Sequence, residues 1–197
     1  MILDETYWQE RYENDTAAWD LGHASRPLKT FIDNLEDKGI AILLPGAGYG
    51  HEALYLYSQG FTNVTVVDVA SASLKHLASK LPTDHGYSLL HQDFFAHTGL
   101  YDLILEQTFY CALELRFRES YFKHMHRLLN KHGMLAGLLF HFEQKKPGPP
   151  FTCTPEEYKR MAQRYFTIRL LEPCTISEPS RAGKELFLQL QKQADGD

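Results

Sequence analysis

The stretch Leu43-Leu44-Pro45-Gly46-Ala47-Gly48-Tyr49-Gly50 sets three glycines at alternate positions, directly after the apolar run from Ile40 to Leu44. Glycine belongs where a backbone turns through positive φ or lets a ligand approach its amides. Beyond it, HEALYLYSQ has a helical pattern stopped by Gly60, so the local unit reads strand, glycine turn, helix. A triphosphate-binding loop of this kind needs G-x-x-x-x-G-K-[ST]. Here Gly50 is followed by His51-Glu52, and no Lys or Arg occurs between residues 39 and 74. The dinucleotide pattern G-x-G-x-x-G needs its third glycine at position 51, which is His51. A tight turn with no ligand is the plain alternative.

Outward from the loop, short β-like runs alternate with helical patterns. VTVVD (64–68), YSLLH (87–91) and YDLILE (101–106) read as strands, and GMLAGLLFHF (133–142) as a long strand inside a parallel sheet. Leu74, Leu77, Ala78 and Leu81 lie on one helix face, and Tyr121, Phe122, Met125, Leu128 and Leu129 on another. Thr154-Pro155-Glu156-Glu157 is a helix start with a hydroxyl cap, an early proline and a glutamate three residues on. FTIRLLE (166–172) and ELFLQLQ (185–191) bring the strands to seven. Their connection is too short for a helical crossover, so they pair antiparallel, and the alternation in the last strand also suits an edge. The expected fold is α/β: a Rossmann-like open sheet, mostly parallel with the last strand antiparallel, helices on both faces, and one domain over 1–197.

The chain has 197 residues and a net charge of -5, which argues against a nucleic-acid partner, since that needs a basic face. No apolar run approaches a membrane span. Cys111, Cys153 and Cys174 form no C-x-x-C pair, which suits a reducing, cytoplasmic compartment. His124 and His126 are two apart on a helix, so no metal site is expected. A monomer acting on a small-molecule substrate is the default.

The ligand follows from the partners of the glycine loop. Asp68 ends the second strand, where an acid can take both ribose hydroxyls; capping the following Ser71 helix is its structural alternative. Asp93-Phe94 follows the third strand, where the pair can meet an adenine, or else form an ordinary helix cap with core phenylalanines. A nucleoside pocket without a phosphate clamp points to S-adenosylmethionine.

In order, LLPGAGYGHEAL, VVDVA, HQDFF, YDLILEQTFYCAL and LLNKHGML resemble the motifs of class I S-adenosylmethionine-dependent methyltransferases. YWQERYENDTAAWDLGHASRPL (7–28), KPGPPFTCTPEEY (146–158) and RAGKE (181–185) are similar to segments of the thiopurine S-methyltransferase family, which includes the plant halide and thiol methyltransferases. The resemblance implies that residues 1–36 form an N-terminal helical lid whose Trp8 and Trp19 close over the cofactor, that Gly46 and Gly48 back its methionine portion, and that Asp68, Asp93 and Phe94 hold the nucleoside. It implies that Glu106 and Gln107 face the sulfonium. Phe109 and Tyr110 could wall the acceptor pocket or pack in the core. Arg118 could attract an anionic acceptor or make an ion pair at the start of its helix. Three departures stand out: Tyr12 in place of a second lid tryptophan, Ala47 in place of cysteine, and Gln107 in place of a tyrosine of the halide enzymes. The expected activity is methyl transfer to a thiol or thiopurine, or to halide or thiocyanate. Oxygen or nitrogen acceptors, and a non-catalytic S-adenosylmethionine-binding module, are the alternatives.

Overall fold

The computed structural model describes residues 3–14 and 16–193. Among them, seven strands form a mixed sheet in the order β3-β2-β1-β4-β5-β7-β6. The chain clusters into two compact units, one ending at His97 and the other beginning at Thr98.

The first unit holds helices α1 (Glu5–Glu13) and α2 (Arg26–Asp33), then β1 (Ile42–Pro45), α3 (His51–Ser58), β2 (Val64–Asp68), α4 (Ser71–Lys80) and β3 (Ser88–His91). β1 pairs parallel with β2, and β2 with β3, in a register that sets Pro45 beside Val67 and Asp68 beside His91. The carboxyl ends of three strands are therefore level, and the loops that leave them share one edge. β1 is wholly buried and β3 is not, as expected for an inner strand and an edge strand. Leu28, Ile32, Ala53, Leu56, Val67 and Leu77 are completely enclosed and form the core of this unit.

The second unit holds β4 (Tyr101–Gln107), α5 (Arg118–Leu128), β5 (Leu129–Phe140), α6 (Pro155–Ala162), β6 (Phe166–Pro173) and β7 (Glu185–Lys192). β4 and β5 are parallel; β7 lies between β5 and β6, antiparallel to both. The expected antiparallel last strand is present, in an inner position rather than at the edge. Its alternation, Leu186, Leu188 and Leu190 buried, marks one covered face instead. β5 begins at Leu129, ahead of the expected Gly133, and its polar start Asn130-Lys131-His132 lies beside a register shift in β4 between Tyr101 and Leu103. α6 starts as its sequence indicates: Thr154 Oγ1 accepts from the Glu157 amide at 3.2 Å, and Glu157 accepts from the Thr154 amide at 2.9 Å. No helix among the described residues is long and apolar enough to cross a membrane.

Candidate active site

All three glycines of the opening stretch adopt left-handed backbone, with φ of 56° at Gly46, 55° at Gly48 and 76° at Gly50. The turn is thus one that only glycine makes without strain. The Gly46 amide donates to the Val67 carbonyl at 2.7 Å, which ties the loop to the end of β2. Gly50 has a further reason: a Cβ there would stand 2.7 Å from Leu77 Cδ1, so its absence lets α3 start against α4.

Asp68, 6% exposed, reaches from β2 to this loop. Its Oδ1 accepts from the Ala70 amide at 2.8 Å and its Oδ2 from the Gly48 amide at 3.3 Å. It is not the side-chain cap of α4, whose N-cap position is Ala70 with no side-chain bond. Burial pushes its carboxyl group up to about 6, against the opposing pull of these amides and of the Ser73 hydroxyl.

The N-terminal segment lies over the same loop. A Cβ on Gly48 would meet the Tyr12 hydroxyl oxygen at 3.4 Å and Trp19 Nε1 at 3.8 Å. Trp19 donates to the Tyr12 hydroxyl, and burial together with the nearby Asp68 holds that phenol well above its ordinary range. Trp8 packs edge-on against Trp19 at 5.5 Å between ring centroids, and Tyr12 against Tyr49 at 5.3 Å. Tyr12 therefore acts as the second aromatic of the cover. Three polar ties fasten this cover: Gln9 Oε1 accepts from the Ala72 amide at 3.0 Å, Asp20 pairs with His51 Nε2 at 2.7 Å, and Glu5 pairs with His91 at 3.1 Å.

Asp93 is exposed, and its carboxylate accepts from the Phe95 amide at 2.9 Å, capping the single 3-10 turn Phe94–Ala96. Phe94 is buried, with Phe95 edge-on to it at 5.2 Å. The pair thus caps a short turn with a buried phenylalanine, and its place at the carboxyl end of β3 sets it on the edge shared with Gly48 and Asp68.

In the second unit, Glu106 is fully buried. One carboxylate oxygen accepts from the Phe109 amide at 2.7 Å and the Tyr110 amide at 2.9 Å; the other accepts from the Tyr121 hydroxyl at 2.5 Å. Burial pushes this carboxyl group up to about 7, while its three donors pull it down. Gly137 on β5 makes the room, since a Cβ there would fall 2.2 Å from the Glu106 carbonyl oxygen and 2.6 Å from its Cβ. Between Gln107 and Phe109, Thr108 has φ of 59°, a conformation that costs a β-branched residue about 1–3 kcal/mol. Its hydroxyl donates to the Gln107 carbonyl at 2.7 Å, and Cys111 Sγ donates to the Thr108 carbonyl at 3.2 Å.

Tyr110 is core: it packs on Tyr121, Phe122 and Tyr158 with centroids 4.8, 5.6 and 5.5 Å away. Phe109 is half-buried and tilted toward Tyr121. Arg118 donates to the Thr152 carbonyl at 2.5 Å, whereas the neighbouring Glu119 pairs with Arg164. The segment around the two prolines is bound to the loop after β4 by the Phe151 amide, which donates to the Cys111 carbonyl at 2.7 Å. A buried ion pair, Arg181 to Glu185 at 3.3 Å, follows on the loop into β7, with the guanidinium 5.4 Å from the Phe140 ring centroid. The 146–158 segment is thus tied to the turn after β4, and the charges of Arg181 and Glu185 act on Cys111 of that turn.

A family model described as thiopurine S-methyltransferase matches residues 3–193. The chain belongs to the thiopurine S-methyltransferase family. Among curated relatives of the family, a probable thiol methyltransferase 2 of Arabidopsis thaliana is 27% identical over 159 residues, covering 78% of this chain and 70% of the relative. Thiocyanate methyltransferase 1 of the same plant is 26% identical over 188 residues, covering 93% and 83%. Among solved structures, a Burkholderia thailandensis 1,6-didemethyltoxoflavin-N1-methyltransferase, with bound 1,6-didemethyltoxoflavin and S-adenosylhomocysteine, superposes with a TM-score of 0.77 at 18% identity, covering 96% of this chain and 87% of that one. That likeness bears on the fold alone.

The residues of the first unit fit the cofactor of this family. Left-handed glycines present backbone with no side chain standing over it, Asp68 offers a buried acceptor at the strand end, and the loop itself carries no Lys or Arg to attract phosphate. Among the described residues no group of His, Cys, Asp and Glu could hold a metal ion. Two elements are hidden in the sequence: the His51–Asp20 tie, whose partners are 31 residues apart, and the Glu106–Tyr121 contact across 15.

Proposed function

We propose that this protein transfers the methyl group of S-adenosylmethionine to a small soft nucleophile, a thiol or thiopurine, with halide or thiocyanate as further acceptors. The reading is carried by Asp68, a buried carboxylate at the end of β2 bonded to the glycine loop, in a chain that matches the family from residue 3 to 193. When bound, the cofactor supplies an electrophilic methyl carbon on a sulfonium sulfur. Asp68 accepts from the ribose hydroxyls, the loop from Gly46 to Gly48 lies under the methionine portion, and Asp93 with Phe94 holds the adenine. Trp8, Trp19 and Tyr12 cover this region and exclude water.

On the acceptor side, Phe109 and the 146–158 segment line the approach, and Arg118 acts through the Thr152 carbonyl to hold that segment in place. Gln107 belongs to the same turn. Alignment and exclusion of water suffice for such a displacement, since holding reactants in line is worth roughly 7–11 kcal/mol. A thiol, with its ordinary pKa of about 8.5, is partly ionised near neutral pH and needs no dedicated base. The named acceptors of the relatives, a thiol and thiocyanate, support this class. A net charge of -5 suits a small-molecule substrate rather than nucleic acid, and three free, buried cysteines suit a reducing, cytoplasmic setting.

The test is a labelled-methyl assay over aliphatic and aromatic thiols, a thiopurine, iodide, thiocyanate, a phenol and an amine. Turnover of thiols, with or without the inorganic anions, is expected. Turnover confined to the phenol or the amine overturns the proposed acceptor class, and no binding of S-adenosylmethionine by calorimetry overturns the reading itself.

A further inference from the structure

Among the described residues of the second unit, Glu106 is a fully buried carboxylate with one oxygen spent on a single turn of backbone. Phe109 and Tyr110 carry the first amides of the 3-10 turn Tyr110–Ala112, and such amides have no partner within their own turn. Glu106 supplies it from below, at 2.7 and 2.9 Å. Its other oxygen is held by the Tyr121 hydroxyl of α5, so the carboxylate is fixed at both ends. Gly137 has no side chain to push it aside. The turn so held contains Thr108 in a left-handed conformation that a β-branched residue adopts only when its surroundings impose it.

We propose that Glu106 is a positioning residue for methyl transfer: clamped between Tyr121 and the Phe109 and Tyr110 amides, it imposes the left-handed Thr108 and so sets the wall that Phe109 presents to the acceptor. This rests on the methyltransferase reading above and replaces the expectation that Glu106 itself touches the cofactor. A carboxylate facing the sulfonium would need an oxygen directed at ligand. Here the residue is 0% exposed, enclosed with its oxygens against the Phe109 and Tyr110 amides and the Tyr121 hydroxyl, so no ligand reaches it. Glu106 acts by shape and acceptor capacity, not by charge delivered to the reacting atoms.

That distinction sets the experiment. In Glu106→Gln the amide oxygen still accepts from both backbone amides, and the amide nitrogen can donate to the Tyr121 oxygen. Glu106→Ala removes the clamp, and Tyr121→Phe removes one arm of it with little change of shape, which keeps the test alive should the alanine variant fail to fold. The readouts are kcat and KM for a thiol at saturating cofactor, and the cofactor Kd by calorimetry. Glu106→Gln is expected within about threefold of wild type in both. Glu106→Ala is expected to lose about a hundredfold in kcat/KM for the thiol, the cost of a misplaced reactant, and Tyr121→Phe about tenfold, with cofactor Kd moving less than about threefold in each.

Glu106→Gln as damaging as Glu106→Ala, or a parallel loss of cofactor affinity, overturns the assignment, because either marks the charge as the working element. Full turnover by the alanine variant also overturns it. If wild-type protein transfers no methyl group to any acceptor, the functional reading falls and the assignment falls with it. If wild type does so and Glu106→Ala matches it, only the assignment falls.

Discussion

With Asp68 on the cofactor ribose, as proposed above, stability and cofactor binding stand in opposition, and pH separates them. Burial raises its carboxyl group from the ordinary 3.8 to about 6, so at 1.36 kcal/mol per pKa unit the ionised form costs the fold about 3 kcal/mol. A raised carboxylate contributes its stability in full below its unfolded value of 3.8 and loses it as the pH climbs through about 6. Lowering the pH from about 7.5 to 5 therefore stabilises the cofactor-free protein by ~1.4 kcal/mol through Asp68 alone. Binding runs the other way, because ribose hydroxyls donate best to the ionised carboxylate: over the same interval the cofactor Kd rises about tenfold. Urea unfolding and calorimetry of wild type and Asp68→Asn at three pH values measure both trends. Glu106, raised to about 7, adds stability with the same sign in both proteins and cancels from the comparison. Asp68→Asn is expected to bind the cofactor roughly 10- to 100-fold more weakly, with an affinity flat in pH. Its stability should gain less than wild type on acidification, by the amount stated. Parallel stability curves for the two proteins refute the buried-carboxylate account. A wild-type affinity that does not fall below pH 6 refutes the ribose assignment.

Three further outcomes follow from the geometry. Gly50→Ala combines a left-handed alanine with a Cβ 2.7 Å from Leu77, and should lower unfolding free energy by roughly 2–4 kcal/mol in urea; a loss under 0.5 kcal/mol contradicts the packing described. Trp19→Ala removes both the edge contact with Trp8 and the donor to Tyr12, and calorimetry should show cofactor affinity down by about tenfold with little change in unfolding midpoint. Thr154→Ala breaks the capping box of α6 and should cost about 1 kcal/mol of stability, with cofactor Kd unchanged.

What the sequence discloses here follows from how local each signal is. The glycine turn, the acid that ends VTVVD and the capping box of α6 are short-range patterns, and each appears where its chemistry indicates. The antiparallel course of the last strand was legible from a connection too short for a crossover. Its inner position was not, because strand order depends on pairing partners 45 to 57 residues apart, such as Phe140 with Glu185 and Met134 with Gln191. Tyr110 and Phe109 are neighbours with opposite fates, one enclosed among Tyr121, Phe122 and Tyr158 and the other half-buried; a 3-10 turn of three residues has no periodicity to separate them. Glu106 stands in a motif that is visible in the sequence, whereas its partner on α5, Tyr121, leaves no local signal.

The inner place of β7 also bears on how the protein is made. As the chain is synthesised, Met134–Phe140 emerges with one side unpaired, and β6 follows with no neighbour to join, since both wait for Glu185–Lys192. For the time taken to add about 45 residues, a few seconds at ordinary synthesis rates, the run MLAGLLF presents an apolar, open strand edge to its surroundings. The nascent second unit is therefore a client for chaperones until its final strand closes the gap. Substitutions that make residues 185–192 slow to pair should show first as aggregation during expression, before any loss of stability can be measured in the finished enzyme.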